Sequence, residues 1–170
     1  MINKNFIHID FRSNNQDLSL RSATAADLEN LRMWKNSQNE FFFHQELIST
    51  VQQQQWFSQF AERPHDYMLI VYVDSKAIGC MGIRLLDSEW DIYNVILGDA
   101  NYGRKGHMGR ALSTMIIMTL QQSDLPITLK VLKHNPAVGW YLKNGFVSLF
   151  EADDHYGLSY QATNTKDKLK

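Results

Sequence analysis

Residues 131–146 read VLKHNPAVGWYLKNGF. An apolar, β-rich run leads into a short segment at helical spacing, and Gly145 follows it. The pattern predicts a strand over Pro126–Leu132 and a helix over Asn135–Asn144. Gly145 suits the position just past the helix end, where a left-handed backbone costs glycine nothing. Within the stretch, Asn135, Ala137, Tyr141, Lys143, Gly145 and Phe146 form N-x-A-x-x-x-Y-x-K-x-G-F.

Upstream, residues 98–112 read GDANYGRKGHMGRAL. Behind them Met108, Ala111, Leu112, Met115, Ile116 and Leu120 repeat at helical spacing and mark one apolar stripe. The glycine-rich loop therefore ends at a helix N-terminus. Backbone N–H groups there lack intrahelical partners, and the helix dipole adds partial positive charge. With Arg104 and Lys105 beside it, such a turn suits phosphate or pyrophosphate. The plain alternative is a strand-to-helix turn with solvated cations. Two familiar phosphate motifs do not fit. Gly98 and Gly103 have the spacing of G-x-x-x-x-G-K-[ST], but Arg104 follows Gly103 and the hydroxyl that would hold magnesium is missing. Gly103, Gly106 and Gly109 are evenly spaced, unlike G-x-G-x-x-G, and the next strand has no ribose-binding acid at its end.

A whole helix separates the strand at 126–132 from the one before the loop, so these two are expected to be parallel neighbours. Before the loop come Tyr67–Val73, Ala77–Leu85 and Glu89–Leu97. The short turns DSK and LDSE between them imply antiparallel hairpins. Further upstream, LSLRSAT reads as a strand entering a helix that is capped by Thr24 and runs to about Ser37. The stretch FFFHQELIS is irregular and aromatic. A second helix starts at Thr50, where T-V-Q-Q is a capping-box pattern with Gln53 at the third helical position, and ends near Arg63. Strands at about 146–152 and 156–161 finish the fold, and TNTKDKLK at the end is expected to fray. The expected architecture is one α/β (α+β) domain over residues 1–170, with its core at about 18–161. It has a mixed, mostly antiparallel sheet of about six to seven strands, flanked by about four helices.

Composition limits the partners. A chain of 170 residues with 44% hydrophobic and 21% charged residues fits one globular domain with a sizeable core. A formal net charge of -1 argues against nucleic acid or an anionic membrane as main partner. The single cysteine, Cys80, excludes an internal disulfide and fits a reducing compartment; its apolar strand setting reads as core. The N-terminus lacks the apolar region of a signal peptide, and the longest apolar run, Tyr67–Val73, is far short of the roughly 20 residues that span a bilayer. A cytoplasmic location is expected. The 6 histidines show no metal-ligand spacing, so no metal is expected.

Taken together, the two segments resemble the GNAT superfamily of acyl-CoA-dependent N-acetyltransferases. In that family a late strand and short helix carry the 135–146 pattern, and an earlier loop of the type Q/R-x-x-G-x-G/A cradles the coenzyme A pyrophosphate. Here that loop is Gly103-Arg104-Lys105-Gly106-His107-Met108. It departs from the pattern: Gly103 replaces Arg or Gln, Met108 replaces a small residue, and Gly109 supplies room next to it. The order of elements matches over roughly 18–161.

The resemblance implies acetyl transfer from acetyl-CoA to a primary amine, without metal or covalent intermediate. It implies a splay between the strands on either side of the loop helix, where unpaired backbone groups bind the pantetheine arm; this maps to Ile96, Leu97 and Gly98. Asn135 bonds the arm from the other side, and Ala137 leaves room. Tyr141 is the implied donor to the departing thiolate, against the plainer reading of a packing tyrosine. The amine must also lose a proton, which calls for a base. Glu89 and Asp91 share one strand face. Asp91 is the chosen candidate, with His134 and His44 as rivals. The aromatic segment and Trp56-Phe57 read either as core or as the wall of an acceptor pocket. WKNSQNEFFFHQELIS with QQQQWF resembles the branch of the family acting on amino-sugar nucleotides. A protein or peptide N-terminus is the competing acceptor, and a non-catalytic acyl-CoA-binding module is the rival class. The expected partners are a coenzyme A thioester and a small amine, with the protein a monomer or homodimer.

Overall fold

Alternation along one strand divides the interior in two. In the computed structural model, which describes residues 2–162, the central strand β3 (Asp66–Val73) is buried on both faces. Tyr67, Leu69, Val71 and Val73 point into one core, and Met68 and Ile70 into another. Side chains that alternate across a strand produce this division when helices cover both faces.

The remaining strands are β1 (His8–Ser13), β2 (Gln16–Ser22), β4 (Lys76–Leu85), β5 (Trp90–Leu97), β6 (Ile127–Leu132), β7 (Phe146–Glu151) and β8 (His155–Tyr160). They form one sheet in the order β1-β2-β3-β4-β5-β6-β8-β7. Every pair is antiparallel except β5 and β6, which run parallel as the intervening helix requires. Helices α1 (Leu28–Ser37) and α2 (Thr50–Ala61) cover the Met68 face. Helices α3 (His107–Leu120) and α4 (Ala137–Lys143) lie on the other side, where Ala111, Leu112, Met115, Ile116 and Tyr141 join the larger core.

The sheet has eight strands where six to seven are expected. The added one is β1, a polar edge strand joined to β2 through Asn14 and Asn15, both with positive φ (49° and 62°). Two left-handed residues match the twist of a tight hairpin, and asparagine tolerates them. The capping box of α2 sits one residue earlier than expected. Ser49 Oγ accepts from Gln52 N at 3.2 Å, and Ser49 N donates to Gln52 Oε1 at 2.8 Å. Thr24 caps as expected, but a short 3₁₀ turn, Ala25–Asp27, precedes α1. Helix α4 is shorter than the pattern suggests, because Asn135 stays outside it and its Oδ1 accepts from Ala137 N at 2.9 Å. Gly145 follows with φ +92°. The terminal TNTKDKLK lies outside the described residues.

The feature that creates the site is a divergence. Strands β5 and β6 are paired only from Trp90–Ile127 to Ile92–Leu129 and then separate. Asn94 takes φ +48°, and the β4–β5 register shifts between Cys80 and Gly82, so β5 carries a bulge as it leaves its neighbour. Gly79 holds the far end of β5 close, since a Cβ on it would lie 2.3 Å from the Ile96 carbonyl oxygen. That obstacle is backbone and cannot rotate away. Gly79→Val is expected to destabilise the fold by about 1–3 kcal/mol. Urea denaturation checks this, and an unchanged midpoint would mean that β4 and β5 separate there at no cost.

Candidate active site

Which backbone groups face the divergence follows from one hydrogen bond. Gly98 N donates to Ile78 O at 2.7 Å, so Gly98 turns its backbone toward β4. By alternation Ile96 does the same, and Leu97 turns toward the gap. There the Leu97 carbonyl accepts from Gln38 Nε2 at 2.9 Å. A cavity of about 680 Å³ fills the gap and runs from Val95 and Leu97 past the glycine loop to α4.

The loop is shaped by local chemistry. Asp99 Oδ1 accepts from Asn101 N at 3.0 Å and starts a 3₁₀ turn over Ala100–Tyr102. Arg104 and Gly106 then take positive φ (59° and 78°), which swings the chain into α3. Gly106 is the N-cap of α3 and has no side chain to occupy the first N–H groups. A Cβ built on Gly106 meets nothing within 4 Å, so open space lies before the helix end. These amides, the dipole and Arg104 make an anion cradle at one end of the cavity. Two contacts fasten the loop to the N-terminal hairpin. His107 Nδ1 lies 3.1 Å from Ser13 Oγ, and Asn14 Nδ2 donates to the Lys105 carbonyl. Burial, together with the Lys105 charge, lowers the His107 pKa, so its ring is neutral at pH 7.

Of the residues expected at a coenzyme site, Leu97, Gly103, Arg104, Gly106, His107, Met108, Gly109, Asn135, Ala137 and Tyr141 line this cavity. Ile96, Gly98 and Lys105 do not. Ile96 is buried in the opposite core, Gly98 packs on Trp34, and Lys105 Nζ lies 5.4 Å from the Tyr102 ring centroid. The sequence reading missed Gln38, Phe41, Phe42, Val95 and Trp140 in the lining. Gln38 carried no motif, and Val95 directly precedes the residues that the resemblance implied.

Tyr141 is only 7% exposed, yet it lines this cavity and a second one of about 460 Å³. Its ring is held edge-on by Trp140 and Phe146, with centroids at 5.0 and 5.6 Å. Its hydroxyl has no hydrogen-bond partner among the described residues, and burial pushes its pKa up. A phenol so placed stays protonated and has a proton or hydrogen bond to give.

The second cavity is walled by Phe41, Phe42, Phe43 and Trp56. Phe57 is packed in the core instead. Asp91 lines the cavity and accepts from Arg84 Nε at 2.9 Å. Burial, the larger effect, raises the Asp91 pKa, and Arg84 opposes it. Of the rival bases, His44 lines the cavity, whereas His134 is exposed and bonds the Glu40 carbonyl at 2.8 Å.

Comparison with known proteins adds the following. The model of the Acetyltransferase (GNAT) family matches residues 31–146. No curated protein matches the chain by sequence. The fold is similar to that of PaiA N-acetyltransferase from Thermoplasma acidophilum, solved in complex with coenzyme A. That match has 16% identity and a TM-score of 0.65 over 85% of this chain and 99% of that one. Apo FdhC, described as a nucleotide-linked sugar GNAT, gives 16% and 0.71 over 98% and 95%. The ribosomal-protein-alanine N-acetyltransferase of Brucella melitensis gives 15% and 0.68 over 84% and 99%. At these identities the likeness concerns the fold.

If the cradle holds a pyrophosphate, acetyl-CoA at about a hundred times its Kd should raise stability by roughly 2.7 kcal/mol. Gly106→Val fills the open space and strains a left-handed position, and it should remove most of that gain. Thermal melts with and without ligand check this; equal shifts in both proteins would locate the ligand elsewhere.

Proposed function

The chain belongs to the acetyltransferase (GNAT) family, and we propose that it moves the acetyl group of acetyl-CoA onto the primary amine of a small acceptor, an amino sugar carried on a nucleotide. Acetyl-CoA is the co-substrate of the family. The observation that carries the reading is the position of Tyr141, common to a cavity that ends at an anion cradle and to one walled by aromatic rings.

In this reading Arg104 and the first amides of α3 take the pyrophosphate, and Leu97, Asn135 and Ala137 line the path of the pantetheine arm. The amine nitrogen attacks the thioester carbonyl carbon. The C–S bond breaks as the amide forms, and Tyr141 hydrogen-bonds or protonates the leaving sulfur. The proton lost by the amine passes to Asp91, directly or through water. The raised pKa of Asp91 makes it a better base than an ordinary carboxylate, although its bond to Arg84 works against this.

A bounded cavity of about 460 Å³ with an apolar wall and a few polar groups suits a sugar ring better than an extended peptide. Two carboxylates, Glu89 and Asp91, line it among the cations Lys35, Arg84 and Lys130, a poor setting for a polyamine. The free, buried Cys80 suits the reducing cytoplasm.

Free thiol released from acetyl-CoA across nucleotide-linked 4-amino sugars, polyamines and peptides with free N-termini tests the acceptor. The highest kcat/KM is expected on the sugars; preference for a peptide would move the protein to N-terminal acetylation, and no release with any amine would leave an acyl-CoA-binding module. Tyr141→Phe should lower kcat by ~10²–10⁴-fold with little change in acetyl-CoA affinity. Unchanged kcat would assign Tyr141 to packing.

A further inference from the structure

Behind the aromatic wall lies a smaller chamber of about 210 Å³, between α1, α2 and the middle of the sheet. Leu31, Ile48, Met68 and Ile96 give it an apolar floor. It shares Lys35, His44, Trp56 and Asn94 with the acceptor cavity, so the two form one compartment with a recess.

Lys35 stands where the recess opens. It projects from α1, and its Nζ lies 5.2 Å from the Phe42 ring centroid. Among the described residues it makes no ion pair or side-chain hydrogen bond; the cations of this region that do are Arg32 with Glu29 and Arg84 with Asp91. Arg84 is a like charge, and of the two carboxylates on the cavity wall Asp91 is already held by Arg84 and Glu89 makes no ion pair with Lys35. Cys80, in the floor of the recess, is 1% exposed, and burial pushes its thiol up to about 12, so it contributes no negative charge. Burial is the main reason that the Lys35 pKa is lowered, with Arg84 adding to it. A half-buried ammonium with no ion pair or hydrogen bond among the described residues is an incomplete arrangement, since a cation removed from water needs an anion or several acceptors. Gln53 adds to the same chamber an amide that makes no hydrogen bond with the described residues.

We infer that Lys35 and Gln53 form an oxyanion-binding recess of the acceptor site, so that the acceptor is an amine that also carries a phosphate or a carboxylate. The anion enters the recess against the Lys35 ammonium, and the rest of the molecule lies along the aromatic wall with its amine toward Tyr141. This inference rests on the acetyltransferase reading and deepens it by assigning the place where the acceptor's anionic group is held; neutral amines and polyamines lack this second anchor.

The test is one of binding, so it does not depend on turnover. With coenzyme A at saturation to occupy the glycine loop, inorganic phosphate and acetate are titrated at constant ionic strength. The ¹⁵N-labelled indole of Trp56, which lines both chambers, is followed by NMR. A saturable shift with phosphate, acetate or both supports the recess and tells which oxyanion it takes. Lys35→Met should weaken that binding roughly ten- to a hundredfold, the scale of one charge-assisted hydrogen bond, and Lys35→Arg should retain most of it. The absence of any saturable shift, or equal binding by wild type and Lys35→Met, overturns the inference. If the oxyanion binds through Lys35 but no amine releases thiol from acetyl-CoA, the recess stands and the acetyltransferase reading falls. If amines are acetylated, Lys35→Met should raise KM for anionic acceptors more than for neutral amines, with little effect on kcat; an equal rise for both classes would reduce Lys35 to a packing contact with Phe42.

Discussion

Backbone N–H and C=O groups inside a sheet require partners, and past Ile92 strand β5 is no longer paired with β6. The slot that the candidate site occupies follows from how that shortage is sustained. The bulge at Asn94 turns β5 away from its parallel neighbour. Gly79 keeps the departing strand tight against β4, where Gly98 also finds its hydrogen bond. On the open side the Leu97 carbonyl is met by a side-chain amide from Gln38. A sheet that closed fully would be more regular, but it would have no slot between β5 and α4 and no route for Tyr141 to reach solvent.

The bulge also explains what the amino-acid sequence did and did not reveal. The three hairpin strands, the parallel β5–β6 pair and the amphipathic stripe of α3 were legible, because each rests on local periodicity. Faces along β5 were not. Ile92 and Ile96 are four residues apart, and strict alternation would put them on one side of the sheet. Ile92 instead packs in the α3 core and Ile96 in the α1–α2 core. One extra residue between them inverts the parity, and nothing in YNVIL announces it. That inversion is why Val95 lines the gap and Ile96 does not. Capping was ambiguous for a different reason: S-T-V-Q and T-V-Q-Q both satisfy the box, and only the position of α2 on the sheet selects Ser49. Strand β1 escaped notice because an edge strand with one buried residue leaves little hydrophobic pattern.

The two large cavities divide their electrostatics cleanly. The glycine-loop end offers backbone amides and Arg104, groups that stabilise diffuse negative charge without titrating. The aromatic-walled side holds groups whose protonation is tuned by burial: Asp91 upward and Lys35 downward. Tyr141 lies at the boundary with its proton retained. The titratable ring at the glycine-loop end, His107, is held toward its neutral form by burial and by the Lys105 charge.

The fastening of the loop to Ser13 and Asn14 carries a consequence for where the functional unit begins. The family match starts at residue 31, after the β1–β2 hairpin, as though that hairpin were an appendage. Yet the hairpin receives the His107 ring and grips the Lys105 carbonyl, and so holds from below the turn whose amides face the cavity. In this protein the boundary drawn by likeness and the boundary drawn by mechanics differ by some two dozen residues. A segment with no residue in either cavity serves as the abutment against which the turn before α3 is set.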